Sequence, residues 1–217
     1  MSESYNNFNK MATSILQEND KFCKSNDVAQ ETVIEILKLM KDAINSVQWN
    51  ADLFPKFAFV NCLRSVLVPM SNAIYYNFMG GNLPACFVQL RILLEQLVKC
   101  FLSDKDYRDI SRFQEKLRRV EDQKLHLTEA VIAVEPNAES LWRNLSNDWV
   151  HMKYLERHVR VLLERGDVLG FNVVVPIDFS ETELPEIQEL GESISQFRAI
   201  LAETVGKWKT EVFRSHQ

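Results

Sequence analysis

From Ile187 to Val212 an apolar residue recurs at every third or fourth position: Ile187, Leu190, Ile194, Phe197, Leu201, Val205, Trp208 and Val212. Only a helix gathers such positions into one seam, because side chains three and four apart share a helical face. The seam runs for about seven turns, longer than one neighbouring helix needs for cover. The rest of the chain keeps the same period. Glycine and proline number only six each among 217 residues, too few turn formers for an all-β chain of this length. The expectation is an all-α antiparallel helical bundle, one domain over 1–217 with a polar N-terminal tail of about 1–6.

Phe8, Met11, Ile15 and Phe22 mark a first helix from Tyr5, and Ser25, Asn26 and Asp27 offer a break and a cap. Val33, Ile36, Leu37, Met40, Ile44 and Val47 predict one face of a second helix. After a loop over Asn50 to Pro55, Lys56 to Met79 reads as an apolar helix with Pro69 inside it. Proline removes a donor and clashes with the preceding turn, so a kink or break is expected there. Gly80 and Gly81 end this helix and Asn82 caps the next, whose face is Leu83, Phe87, Leu90, Leu94, Leu97, Val98 and Phe101, up to about Ser103. Ile110, Phe113, Leu117 and Val120 predict a further helix from about Tyr107, and another runs from Ala138 to Arg165. The β-branched run Val173-Val174-Val175 before Pro176 predicts a short extended segment near 171–179.

The net charge of −5 gives no general attraction to nucleic acid. The polar first residues lack the apolar stretch of a signal peptide, and no run of about 18 apolar residues occurs. A soluble, cytoplasmic chain with no membrane contact is expected. Cys23, Cys62, Cys86 and Cys100 are widely spaced with no CxxC pair, which predicts buried free thiols rather than a metal or redox motif.

No phosphate-binding loop, nucleophile elbow or HExxH helix is present. A ferritin-like di-iron bundle needs two Glu-x-x-His motifs, and Asp148-x-x-His151 is the nearest approach, so neither metal nor cofactor is implied. Two polar clusters stand out instead. Arg91 and Glu95 are four apart and share a face between two apolar sectors, so they are expected to be partly buried and paired. On a regular helix Asp148 falls in the core sector set by Leu141, Leu145 and Met152, with Asn144 and His151 on its edge and Arg143 nearly opposite. Arg91 is then the natural cation for Asp148. Beside His151, Asp148 could also orient the imidazole. Lys116, Arg118 and Arg119, with Lys153, Arg157, Arg160 and Arg165, could form a basic patch or an ordinary solvated face.

Gly80-Gly81, then Gln89-Leu90-Arg91-Ile92-Leu93-Leu94-Glu95, then Leu145-Ser146 followed by Trp149-Val150-His151, resembles the HEPN-type helical superfamily and related abortive-infection proteins, over about residues 72–165. The resemblance implies an antiparallel bundle. In active members it also implies a metal-independent ribonuclease working at a dimer interface. Carried over, His151 would be the general acid or base for the RNA 2′-hydroxyl, Arg143 would meet the phosphate charge, and Asn144 would assist. The active pattern separates Arg and His by about five to seven positions; here it is eight, which turns the two side chains about 80° apart on a regular helix.

Three functions are therefore expected in turn. The first is a non-enzymatic binding or regulatory protein of defence or toxin–antitoxin type, acting on a partner protein or RNA. The second is a metal-independent endoribonuclease using His151, Arg143 and Asn144. The third is a small-ligand sensor with its pocket near Arg91 and Glu95. The long seam at Ile187–Val212, with Trp142 and Trp149, predicts a homodimer.

Overall fold

The computed structural model describes residues 3–46, 51–122, 131, 134–136, 138–150 and 178–214. All regular structure among them is helical, in eight α-helices and shorter 3₁₀ and π segments. α1 (Glu3–Ser25) and α2 (Asp27–Ser46) are separated by Asn26 alone. Helical bonding runs through that residue, since its N–H reaches Phe22 O and its carbonyl accepts from Gln30. The Asn26 side chain meanwhile caps α2 through Val28 and Ala29 N–H. α1 begins at Glu3, so the polar N-terminal residues expected as a tail over about 1–6 are helical from that point.

α3 (Ala58–Cys62) passes into a π turn at Leu63–Leu67 and then into α4 (Val68–Met79). The interruption falls directly before Pro69, whose ring would otherwise meet the carbonyl of Ser65. α4 ends where Gly81 turns to φ 72°, with Gly81 N–H bonded to Phe78 O and Asn82 N–H to Asn77 O. Those two bonds complete a Schellman stop, and a side chain on Gly81 would be strained there. Asn82 then caps α5 (Leu83–Asp106) by accepting from Ala85 N–H. α5 is the central helix, in contact with α3, α4, α6 (Phe113–Asp122) and α8 (Leu184–Trp208). α7 (Ala138–Asn144) continues as a π segment, Leu145–Val150, that packs on α5.

Seven of the eight seam residues of α8 lie inside the chain, and Val205 is half-buried. Ile187, Leu190, Ile194, Phe197, Leu201, Trp208 and Val212 are all buried, as are Trp142 and Trp149. α2 and α5 both pack against α8, and α2 runs beside it from Ile187 past Arg198. α2 itself departs from expectation. Its buried residues are Ala29, Thr32, Ile36, Leu39 and Ala43, whereas Leu37 and Ile44 are 48% and 55% exposed. Small residues set the facing side because α2 and α8 approach closely. A Cβ on Gly191 would stand 2.7 Å from Thr32 Oγ1, and that hydroxyl donates to Ile187 O at 2.9 Å.

Residues 171–177 of the expected extended segment lie outside the described residues. Immediately after them Phe179 is buried between Phe22 and Phe78, and its N–H donates to Asn19 Oδ1. Asn19, fully buried on α1, donates in turn to Met79 O. Among the described residues, no helix is long and apolar enough to cross a membrane.

Candidate functional site

Arg91 projects from the middle of α5 toward α7 and is 8% exposed. It forms an ion pair with Glu95, one turn on. Its Nε donates to Ser146 Oγ at 2.8 Å, and its guanidinium lies over the Trp142 ring. Burial pulls the guanidinium down to about 10, against the upward pull of Glu95. At neutral pH it still carries its charge. Glu95 keeps a side-chain exposure of 22%, so the pair sits at the edge of the core with its carboxylate toward solvent.

The two tryptophans fasten α7 and its π segment to the bundle. Trp149 stacks on Phe87 with centroids 3.6 Å apart and planes 10° from parallel, and its Nε1 donates to Glu189 Oε1 on α8. Trp142 faces Arg91. The π segment also changes the geometry assumed for a regular helix. A π turn takes one residue more than an α turn, so wheel positions beyond Leu145 are rotated from those read at 100° per residue.

Arg143 and Asn144 lie on the exposed side of α7. The Arg143 guanidinium is 60% exposed and is held by Glu139 at 2.6 Å, a pair one helical turn long. It faces away from Arg91, which points inward. His151 and the Asp148 side chain lie outside the described residues, as do Lys153, Arg157, Arg160 and Arg165. Lys116 does not belong with Arg118 and Arg119 in a surface patch. It is 1% exposed and points into the core.

Its partner there is Asp104, a fully buried carboxylate with four donors. Oδ1 accepts from Ala58 N–H at 2.9 Å and Lys116 Nζ at 3.2 Å; Oδ2 accepts from Phe59 N–H at 2.9 Å and Trp208 Nε1 at 3.0 Å. The carboxylate thus caps the N-terminus of α3, neutralises the ammonium and anchors the indole at once. Phe57, Phe59 and Phe213 pack around Trp208 at centroid distances of 5.1–5.6 Å. Sequence periodicity missed this centre because α5 was expected to stop near Ser103, which left Asp104 as a loop residue. The available signal was the spacing itself: Asp104 continues the face of Leu97 and Phe101.

Elsewhere Lys207 bonds Glu135 and Val134 O, and Arg198 joins α8 to α2 through Glu35 and Asp42, each at 2.7 Å. Burial pushes the Glu35 carboxyl up, but the hydrogen bonds from Lys38 and Arg198 outweigh it and hold it below its usual range. All four cysteines are free and buried. Among the described residues no three His, Cys, Asp or Glu side chains converge as metal ligands. One groove, lined by Val28, Thr32, Ile34 and Gly191, and a second, lined by Asp42, Ser46, Leu201 and Val205, lie between α2 and α8. No family model, curated protein or solved structure matches the chain.

Proposed function

We propose that this chain is a non-enzymatic helical binding or regulatory module of the HEPN-like kind, one that presents a rigid surface to a macromolecular partner. One observation carries the reading. Among the described residues, the buried charged groups Arg91, Asp104, Lys116 and Glu135 are each engaged by an internal partner. Such groups fix how helices dock, and none of these four is free to act as acid, base or cation on a substrate. The sensor reading loses ground on the same residues, because Trp142, Ser146 and Glu95 fill the space around Arg91.

A second reading, the metal-independent ribonuclease, is favoured by the π segment Leu145–Val150. That segment begins two residues after Arg143, and the extra residue of a π turn reduces the rotation accumulated between Arg143 and Val150 relative to a regular helix. In that mechanism His151 takes the proton of the 2′-hydroxyl, whose oxygen bonds to phosphorus as the P–O5′ bond breaks; the departing 5′-oxygen takes up a proton, Arg143 and Asn144 meet the phosphate charge, and a 2′,3′-cyclic end remains. The deciding assay incubates single-stranded RNA with purified protein in EDTA. The binding reading expects no cleavage above that of His151→Ala. Cleavage that survives EDTA and disappears in both His151→Ala and Arg143→Ala overturns it in favour of the ribonuclease.

A further inference from the structure

α2 carries a face that the bundle leaves uncovered. Asp27, Gln30, Glu31, Ile34, Leu37, Lys38, Lys41 and Ile44 are exposed and fall within one sector of the helix, opposite Ile36, Leu39 and Ala43. Its apolar members are large: Ile34, Leu37 and Ile44 are 43%, 48% and 55% exposed. Its charges are segregated, acidic in the first half and basic in the second. The helix dipole accounts for the sign at each end. It does not account for three exposed aliphatic side chains between and beyond those charges.

We propose that this face is the contact between two copies of the chain, with the two α2 helices antiparallel about a two-fold axis midway between Ile34 and Leu37. Only an antiparallel copy makes the charge pattern self-complementary. Ile34 of one copy then meets Leu37 of the other, and Leu37 meets Ile34. The same register brings Glu31 within one turn of Lys38, and sets Gln30 opposite Lys41 and Asp27 at the level of Ile44. A parallel copy would set like charges against each other along the whole face, which is repulsive. Lys38 is 2.7 Å from Glu35 of its own helix, with half of its side chain still exposed, so its ammonium has donors left for the second copy. The surface is distinct from the α8 seam, most of which is buried inside the chain. The inference goes beyond the proposed function and stands whether or not the chain cleaves RNA.

Sedimentation velocity on the full chain tests it. Wild-type protein should show a concentration-dependent monomer–dimer equilibrium in the micromolar range. Leu37→Glu places two carboxylates in the apolar centre and should weaken the dimer about a hundredfold or more. Its helical circular dichroism should not change, because Leu37 is exposed in the monomer. Two further variants test the orientation. Lys38→Glu with Lys41→Glu makes the face acidic throughout, and Asp27→Lys with Glu31→Lys makes it basic throughout. Each should dimerise less well alone, and a mixture of the two should recover or exceed wild-type association at low salt. A wild-type chain that stays monomeric across that range overturns the proposal. So does a dimer indifferent to Leu37→Glu, or a mixture that associates no better than its components.

Discussion

Asp104→Ala removes one carboxylate and strands four donors, which makes it the sharpest probe of how this bundle is held. Lys116, 1% exposed, would keep a buried positive charge with no counter-ion. Breaking a buried pair in that way costs about 3–5 kcal/mol. Ala58 N–H, Phe59 N–H and Trp208 Nε1 would lose their acceptor as well, at about 1–3 kcal/mol for each that stays unsatisfied. These losses share one pocket and do not add. A floor of about 3 kcal/mol is therefore expected, or at least about 6 °C in melting temperature for a chain of this size. Urea unfolding followed by far-ultraviolet circular dichroism measures it. Asp104→Asn combined with Lys116→Met discharges both partners and keeps one acceptor oxygen, so it should recover more than half of the loss. An Asp104→Ala protein within about 1 kcal/mol of wild type would refute the reasoning. A double variant whose cost equals the sum of its two single variants would do the same.

Three other outcomes are expected from the same geometry. Gly191→Ala should destabilise by about 1–3 kcal/mol, because its Cβ would stand 2.7 Å from Thr32 Oγ1; the cost should shrink in a Thr32→Ala background, and equal costs in both backgrounds would show that the contact does not matter. Arg91→Ala should cost about 2–3 kcal/mol, less than the Asp104 change, since Glu95 retains access to water; Arg91→Met with Glu95→Gln should be milder than either single change, and a negligible effect of Arg91→Ala would place the residue outside the core. Burial pushes the Cys23 thiol up to about 11, so at pH 8 only about one molecule in a thousand presents the thiolate; a disulfide reagent should therefore label the native protein slowly and the urea-unfolded protein at all four cysteines, and rapid native labelling would contradict the burial.

The elements that sequence made legible are those whose apolar period is long and whose stops are chemical. α8 announces itself through eight apolar positions, and the α4–α5 turn through Gly80, Gly81 and Asn82. α2 was harder, because apolar character and burial diverge there. Its buried side mixes Ala29, Thr32 and Ala43 with Ile36 and Leu39, while Leu37 and Ile44 face outward. A hydrophobicity pattern weights Leu and Ile above Ala and Thr, so it finds Ile36, Val33 and Met40 against the core but turns the helix too far toward Leu37 and Ile44. The Arg91–Glu95 pair was within reach because four residues on one helix fix the geometry. The Asp104–Lys116 pair spans two helices, and which cation meets which anion across such a gap depends on docking that local periodicity does not encode. The pairing of Asp148 with Arg91 rested on a regular helix from Ala138 onward, and the π segment removes that premise.

Three π segments occur among the described residues, and they do not have the same cause. Leu63–Leu67 precedes Pro69, which cannot donate to Ser65 and crowds its carbonyl, so a widened turn relieves both problems. Lys209–Phe213 follows Gly206, and Thr210 Oγ1 bonds back to Gly206 O and Lys207 O, a competition known to loosen helical turns. Leu145–Val150 contains no proline, glycine or threonine, and the hydroxyl of its Ser146 is turned to Arg91. Nor do the described buried side chains demand it: Leu141, Trp142, Leu145 and Trp149 fall on one face of an ordinary α-helix at 3.6 residues per turn. A π turn that neither local chemistry nor the core requires is the kind that recurs at functional sites, where it re-aims neighbouring side chains. Here the next residue in the chain is His151, and Arg143 stands two residues before the segment begins. The buried charges among the described residues are accounted for by packing, which leaves the widened turn as the place to test the ribonuclease reading. For that reason the His151→Ala comparison in EDTA carries more weight than any substitution in the Arg91 cluster.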